Sequence, residues 1–246
     1  MAEKGTVDVR IAALSPGGHS SMPQPRGATE RLAEAVVRIS RHTPEVILPE
    51  AVRRMVDARR AHLPAELAER VDGDALSTAT ALAGLGPELE AMTRTTMVVT
   101  RLSGSPGDNV LATRAEANVN VRLAPGDSIA ALLDRLAVLL ADLEIQVVSV
   151  SGDDPSPTAP STGAPWELLT RAVHAIDPGL AVVPYLQSGS TDSRYVTALT
   201  SAVYRFAALV MTAAQRRTIH GVDEHVTLAA LEAGVAFHRT LISDHR

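Results

Sequence analysis

The 246-residue sequence predicts an α/β protein in two units, an antiparallel α+β unit followed by an α/β unit. In the first unit, segments of strand and helix periodicity follow one another in the order β-α-β-β-α-β. A stretch rich in Pro, Ser, Gly and Asp, "SGDDPSPTAPSTGAP", then precedes apolar runs that alternate with helical segments. These patterns place the units at residues 5–150 and 160–246.

The first unit begins with a predicted strand, "TVDVRIAAL", in which apolar and polar residues alternate. The loop "SPGGHSSMPQPRG" follows, because its Gly and Pro residues interrupt regular structure. A helix is predicted from Thr29, where Leu32, Val36 and Ile39 recur at helical spacing. Residues 50 to about 92 predict a helical insertion of two or three short helices.

The second half of this unit supplies two more strands, "RTTMVVTRLSG" and "EANVNVRLAP", which we expect to pair as antiparallel neighbours. A helix is predicted from about Ser128 to Asp142, with Asp127 or Ser128 as its N-cap. The strand "EIQVVSV" completes the set. This order is the split βαβ, ferredoxin-like pattern.

The second unit predicts a helix in "PWELLTRAVHAI", opened by Pro165, and a closing helix in "TLAALEAGVAFHRTLIS". Between them, "LAVVPYL" and "SAVYRFAAL" are predicted as short buried strands. These elements are too few to form a sheet that is covered on both faces. We therefore expect this unit to be part of a domain, and to be less stable than the first unit. Proteolysis is expected near residues 151–164.

Composition excludes several kinds of partner and site. The net charge is −5 and no run of Lys and Arg occurs, so neither nucleic acid nor an anionic membrane is expected as a partner. There is no cysteine, so any metal must be held by His and carboxylates. The start of the chain lacks a signal-like apolar region and no long apolar run occurs, which predicts a cytoplasmic protein.

The stretch "QRRTIHGVDEHV" contains the nearest approach to a metal-ligand pattern. His220 and His225 could converge, with Asp223 or Glu224 as a carboxylate ligand. A single imidazole does not make a zinc site, because such sites use three or four protein ligands. The alternative is a solvated loop ahead of the closing helix, in which none of these residues binds a metal.

Three other loops carry candidate binding or catalytic residues. His19 lies in "PGGHSSMP", where flanking Gly and Pro residues make a stiff loop, although such a residue can also be an ordinary surface histidine. Arg194 in "SGSTDSRY" suits an anion site, or the segment is a turn in which Asp192 caps a helix. Asn109 in "GDNVLATRA" is either functional or a residue that a hairpin turn favours.

Taken in order, six motifs resemble the C-terminal part of an M20-family metallopeptidase. They are "AEKG", "GGHSSMP", "SPGDNVLATRAEANVNVRLAPGDS", "SGSTDSRY", "VYRF" and "IHGVDEHV". The carboxypeptidase S and N-acyl-amino-acid hydrolase branch is most similar. The resemblance implies a ferredoxin-like lid domain that forms the homodimer, followed by the C-terminal part of an α/β domain that binds two zinc ions. The implied substrates are small peptides or N-acyl amino acids.

The resemblance also implies roles for individual residues. His220 matches the C-terminal zinc ligand, and His19 matches a lid-domain histidine that reaches the partner subunit's site and stabilises the oxyanion. Asn109 and Arg194 match positions that bind the free carboxylate of the substrate. Arg122 matches a further arginine of the site.

Two departures from the family pattern bear on activity. Ala112 stands where the family has a proline, in the loop that holds Asn109. The family's HxD motif, bridging Asp and Glu-Glu pair precede "AEKG", where this sequence starts, so the chain alone is expected to be inactive. Three interpretations follow: a portion of an enzyme that needs those motifs, a non-catalytic dimerisation or binding module, or a remnant stabilised by swapping or extra oligomer contacts.

Overall fold

The computed structural model describes residues 1–244, and the structural statements below concern these residues. Their strands are β1 (Ala2–Glu3), β2 (Gly5–Leu14), β3 (Gly18–His19), β4 (Thr96–Ser103), β5 (Val110–Leu111), β6 (Arg114–Leu123), β7 (Gln146–Asp153) and β8 (Leu186–Gln187). Their α-helices are α1 (Ala28–Arg41), α2 (Glu50–Arg59), α3 (Ala65–Arg70), α4 (Ala75–Ala83), α5 (Pro87–Met92), α6 (Ile129–Leu139), α7 (Ala164–His174), α8 (Ala213–Arg216) and α9 (Leu228–Ser243). Short 3-10 turns occupy Arg60–His62 and Asp192–Val196.

The predicted ferredoxin-like unit is confirmed. Its four-stranded sheet has the order β4-β6-β2-β7, and every neighbouring pair is antiparallel. The register aligns Thr6 with Arg122 at one end of β2 and Leu14 with Arg114 at the other. Helix α6 begins at its predicted cap, since the Ser128 hydroxyl accepts a hydrogen bond from the Ala131 amide at 3.1 Å.

The two faces of this sheet have opposite chemistry because side chains alternate along each strand. On β6, Val119 and Val121 are fully buried in the core formed with α1 and α6. On the other face, the side-chain amides of Asn118 and Asn120 donate to Asp8 Oδ1 at 2.8 and 3.1 Å. These hydrogen bonds lower the pKa of Asp8. The sheet therefore presents a polar face on the side away from its helices.

The predicted helical insertion at residues 50 to about 92 contains four α-helices in place of the predicted two or three. Its apolar side chains do not join the core of the sheet. Instead Val52, Val56 and Leu82 form a second core with Ala2 and Leu186. The insertion therefore packs against residues that lie outside the ferredoxin-like unit, and the division at residues 5–150 and 160–246 stays a proposal.

The second unit is less regular than predicted. Helix α7, which begins one residue before Pro165, packs with α9 in a small core that includes Leu169, Val173 and Phe237. The prediction of strands over 180–186 and 201–209 was wrong: only Leu186–Gln187 is a strand, paired in parallel with β1, and residues 201–209 are irregular. A run of apolar residues predicts that a segment is buried, but a strand also needs a neighbouring strand for its backbone hydrogen bonds. Strand β1 has only two residues with which β8 can pair.

The predicted linker is tied to the start of the chain. The Ser156 amide donates to the Glu3 carbonyl at 3.0 Å, and the Ala159 amide donates to the Met1 carbonyl at 2.7 Å. The chain therefore passes between the two units at residues 4–5 and again near 153–156. Within the described residues, no helix has the length and apolar character needed to cross a bilayer.

Candidate functional site

His19 and Asn109 lie side by side at one end of the ferredoxin-like sheet. Strand β3 pairs with β5 so that His19 faces Val110, and the Ser20 amide donates to the Asn109 carbonyl at 3.0 Å. Gly17 has a φ of +75°, and a Cβ there would lie 2.6 Å from Thr113 Cγ2, so the loop requires glycine. Local backbone geometry thus brings these two predicted residues together.

The His19 ring is held in one orientation. Its Nδ1 accepts a hydrogen bond from the Ser21 amide at 3.1 Å and lies 2.8 Å from Ser21 Oγ. Because an amide can only donate, Nδ1 carries no proton, and the neutral ring has its proton on Nε2. The ring is exposed, so Nε2–H is available as a hydrogen-bond donor to a ligand.

Arg194 lies in the 3-10 turn at Asp192–Val196. Its Nη1 donates to Ser190 Oγ at 2.6 Å and lies 3.5 Å from Asp153 Oδ2. Its Nη2 donates to the Tyr195 hydroxyl at 3.3 Å, and the guanidinium lies 5.0 Å from the centroid of that ring. The hydrogen bond that Arg194 donates to Tyr195 is the main cause that raises the pKa of Arg194, which remains a cation.

Arg122 approaches the same region from the sheet. Its Nη1 donates to Thr6 Oγ1 at 2.6 Å. Thr6 and Arg194 both line a cleft of about 190 Å³ between the two units, together with Ser156 and Ser190. The two predicted arginines are thus associated with one cleft, and a planar guanidinium fits a carboxylate group.

Lys4, which also lines this cleft, is almost fully buried. Its Nζ donates to the carbonyls of Ala91 and Arg94 at 2.8 and 2.9 Å. Burial, with the charge of Arg122 as a second cause, lowers the pKa of Lys4 to about 8. Lys4 therefore fixes the end of the helical insertion against the cleft.

The five predicted residues do not form a single site within one chain. Arg122 pairs with Thr6 at one end of β2, whereas His19 and Asn109 lie beyond Leu14 at its other end. The eight residue steps from Thr6 to Leu14 span roughly 27 Å. One small ligand cannot contact both groups in the same chain.

His220 lies on an exposed loop with a φ of +62°. Its amide donates to Glu224 Oε2 at 3.1 Å, and His225 Nδ1 lies 2.6 Å from the Asp223 carbonyl. Residues 1–244 contain no group of three or more His, Asp or Glu side chains that could hold a metal ion. The structure does not bring the four residues of this loop together as ligands, so they do not form a zinc site by themselves.

A buried ion pair next to the cleft was missed by the sequence analysis. Glu3 Oε2 lies 3.0 Å from Arg205 Nε, and each side chain is only 3% exposed. The carboxylate also accepts hydrogen bonds from Thr191 and Ser193. The available signal was a charged residue within "AEKG" and another within the apolar segment "VYRFAAL".

The family of this chain follows from a match to a known protein domain. The M20 peptidase dimerisation domain matches residues 1–147, which is more than half of the sequence. The chain belongs to the M20 peptidase family. The M20 match covers three of the four strands of the ferredoxin-like sheet and the start of β7, with the helical insertion and the loops of His19 and Asn109.

Curated M20 relatives match over nearly the whole sequence. A carboxypeptidase S-like protein of Dictyostelium discoideum is 29% identical over 99% of this chain and 47% of its own length. The N-fatty-acyl-amino acid synthase/hydrolase PM20D1 of Homo sapiens is 28% identical over 99% of this chain and 50% of its own length. The chain thus spans about half the length of the curated relatives it matches.

Two solved structures share the fold. The M20 family metallo-carboxypeptidase Sso-CP2 from Sulfolobus solfataricus superposes with a TM-score of 0.59 at 15% identity, over 98% of this chain and 58% of that one. A hydantoinase/carbamoylase family amidase from Burkholderia vietnamiensis has a TM-score of 0.56 at 16% identity, over 98% and 48% respectively. Both superpositions extend past the dimerisation domain, so the C-terminal unit also has the arrangement found in these proteins.

Proposed function

We propose that this chain is part of a zinc-dependent amide hydrolase of carboxypeptidase or aminoacylase type, which acts on small peptides or N-acyl amino acids. The observation that carries the proposal is the cleft of Thr6 and Arg194, with Arg122 bound to Thr6 beside it. Arginine binds carboxylates through paired N–H donors, and every substrate of this class has a free carboxylate. The names of the relatives support the same class of substrate.

His19 and Asn109 act in a different copy of the active site. Their separation from Arg122 and Arg194, roughly 27 Å along β2, prevents one chain from using all four on one substrate. We therefore propose a homodimer in which His19 and Asn109 of one chain complete the site at the arginines of its partner. The Nε2–H of His19 is a preorganised donor for the oxyanion that forms on the amide carbonyl.

The metal chemistry needs groups beyond those described. His220 stays a predicted zinc ligand, but residues 1–244 do not assemble a set of ligands around it. No zinc-dependent step is therefore assigned to this chain, and we propose that it does not hydrolyse substrate by itself. Its own contribution is to bind the carboxylate, to donate a hydrogen bond to the oxyanion and to form the dimer.

The alternative function is a non-catalytic dimerisation or binding module. The match to the dimerisation domain over residues 1–147 favours it. The two functions make different predictions for Arg194. An amide hydrolase of this class needs Arg194 to bind the substrate's carboxylate, whereas a module that only dimerises needs no carboxylate site between its units. Sedimentation would show a dimer in either case and does not separate them.

Calorimetric titration of the purified chain with N-acetyl-leucine separates the two functions. We expect saturable binding that weakens about tenfold or more in Arg194→Gln, since a hydrogen-bonded charge pair is lost. Arg171→Gln is the matched control, because Arg171 is exposed and its nearest carboxylate oxygen, on Asp244, is 3.8 Å away. Equal affinity in wild type and Arg194→Gln would contradict the carboxylate site and favour the module.

Hydrolysis is tested in the same samples. We expect no release of leucine when zinc is added to the chain. Release that a chelator abolishes would contradict the proposed inactivity of the chain alone and leave the proposed substrate class intact.

A further inference from the structure

The Glu3 carboxylate makes an unusually complete set of contacts for a buried acid. Its Oε1 accepts a hydrogen bond from the Thr191 amide at 3.0 Å. Its Oε2 accepts from Thr191 Oγ1 at 2.5 Å, from Arg205 Nε at 3.0 Å and from Ser193 Oγ at 3.3 Å. An ionised carboxylate is costly to bury unless it is paired and hydrogen-bonded in this way.

Within residues 1–244, Arg205 forms an ion pair only with the Glu3 carboxylate. Its Nη1 donates to the Val203 carbonyl at 3.1 Å, and its Nη2 is buried without a partner. It does not reach the cleft that Arg194 lines. Its charge therefore stabilises the ionised Glu3. The other hydrogen bonds of the Glu3 carboxylate come from Thr191 and Ser193, at the turn of Arg194.

Thr191 connects Glu3 to Arg194. Thr191 is the N-cap of the turn Asp192–Val196, and the Arg194 amide donates to the Thr191 carbonyl at 3.4 Å. Ser193, the second residue held by Glu3, directly precedes Arg194. Glu3 thus fixes the residues that determine where the Arg194 backbone lies.

The base that carries Glu3 is itself rigid. Glu3 lies in β1, pairs with Gln187 of β8, and donates its amide to Ser156 Oγ at 2.9 Å. Two residues later the chain enters β2 of the ferredoxin-like sheet. The turn of Arg194 is therefore fastened to one of the two points at which the chain passes between its units.

We infer that Glu3 is a positioning residue, which holds the Thr191–Ser193 segment so that the Arg194 guanidinium faces the cleft in a fixed orientation. This inference rests on the proposed carboxylate-binding role of Arg194. Glu3 is among the residues that line the cleft, but its buried carboxylate makes its hydrogen bonds to Thr191, Ser193 and Arg205, so it acts through Thr191 and Ser193. Its removal should loosen the turn and weaken carboxylate binding even where the chain remains folded.

The test compares Glu3→Gln with Asp127→Asn by hydrogen exchange and by titration with N-acetyl-leucine. Asp127 is a matched control because it also accepts from an arginine, Arg135, and from a threonine, Thr95, but lies away from the turn. In Glu3→Gln we expect exchange at residues 190–196 to be about tenfold faster and the Kd to rise about tenfold, which is the value of one charged hydrogen bond. Asp127→Asn should leave both unchanged.

Thr191→Val is the second variant, for the case in which Glu3→Gln does not fold. It removes the hydroxyl bonds to Glu3 and to Ser193 Oγ and leaves the Glu3–Arg205 pair in place. Its exchange at residues 190–196 should rise a few-fold, by about the value of one hydrogen bond. Unchanged exchange in both variants, or equal acceleration in Asp127→Asn, would overturn the inference.

The two proposals fail in different ways. If Arg194→Gln does not change the affinity for N-acetyl-leucine, the carboxylate site is wrong. Faster exchange in Glu3→Gln would then still show that Glu3 holds the turn, because exchange is measured without ligand.

Discussion

In the ferredoxin-like sheet, Val119 and Val121 are fully shielded from solvent, whereas in the C-terminal unit Leu199 and Val222 leave 84% and 88% of their surface exposed. The sheet has a continuous core between β2, β6, α1 and α6. The buried cluster formed by α7 and α9 is small, and two of its five buried members are alanines. The two regions thus differ in how much apolar surface they remove from water.

This difference indicates that the ferredoxin-like sheet contributes more than the C-terminal unit to the stability of the chain. Burial of apolar surface is the main favourable term in folding, so the sheet unit should fold on its own core. The C-terminal unit depends more on contacts outside itself, as the packing of Leu186 against the helical insertion shows.

The largest effect is expected from Leu132→Ala in α6. Leu132 is fully buried, and its truncation should lower the free energy of unfolding by about 3 kcal/mol because it leaves a cavity. Leu228→Ala in α9 is the matched control, since Leu228 is 78% exposed and its truncation should change stability by less than about 0.5 kcal/mol. Urea denaturation measures both, and equal losses would break the comparison.

Limited proteolysis should also separate the regions. The sequence predicted cleavage near residues 151–164, but the backbone of this linker is hydrogen-bonded to residues 1–3. Residues 210–226 are mostly exposed and contain only one short helix. We therefore expect proteinase K to cleave first within 210–226, as read by mass spectrometry. First cleavage within 154–163 would show that the links to β1 do not persist in solution.

The smallest effect concerns acid stability of the sheet unit. Burial by itself would raise the pKa of Asp127, but hydrogen bonds from Arg135 and Thr95 outweigh it and lower the pKa. A lowered folded pKa adds stability above the unfolded pKa, and this stability is lost as pH falls through the folded pKa. Asp127→Asn should therefore be less stable than wild type at about pH 7, with a smaller difference at about pH 3. A difference that does not change with pH would contradict this account.

Periodicity was sufficient to predict the ferredoxin-like unit. Residues 6–11 alternate between polar and apolar side chains, so their faces follow from the sequence, and Ser128 marks the start of α6. Residues 201–209 are also apolar, but they lack a backbone partner among the described strands and do not form one. The insertion at 50–92 was located correctly, although its packing against Ala2 and Leu186 is a long-range contact that no local pattern encodes.

The sequence identified residues of the candidate site, but it did not predict how these residues are arranged in space. The motifs pointed to Arg122 and Arg194, and the structure associates both with one cleft. That Asn109 lies at the opposite end of β2 follows only from strand register, which the sequence does not give. Glu3 and Arg205 escaped notice because their 202-residue separation hides the ion pair between them.

Metal analysis of the purified chain after dialysis against zinc-free buffer tests the central claim most directly, with His220→Ala as the control. The account predicts clearly less than one zinc ion per chain, and the same content in wild type and variant, because residues 1–244 bring no three ligands together. One or more zinc ions per chain, lost in His220→Ala, would contradict it and would make this chain a complete metalloprotein.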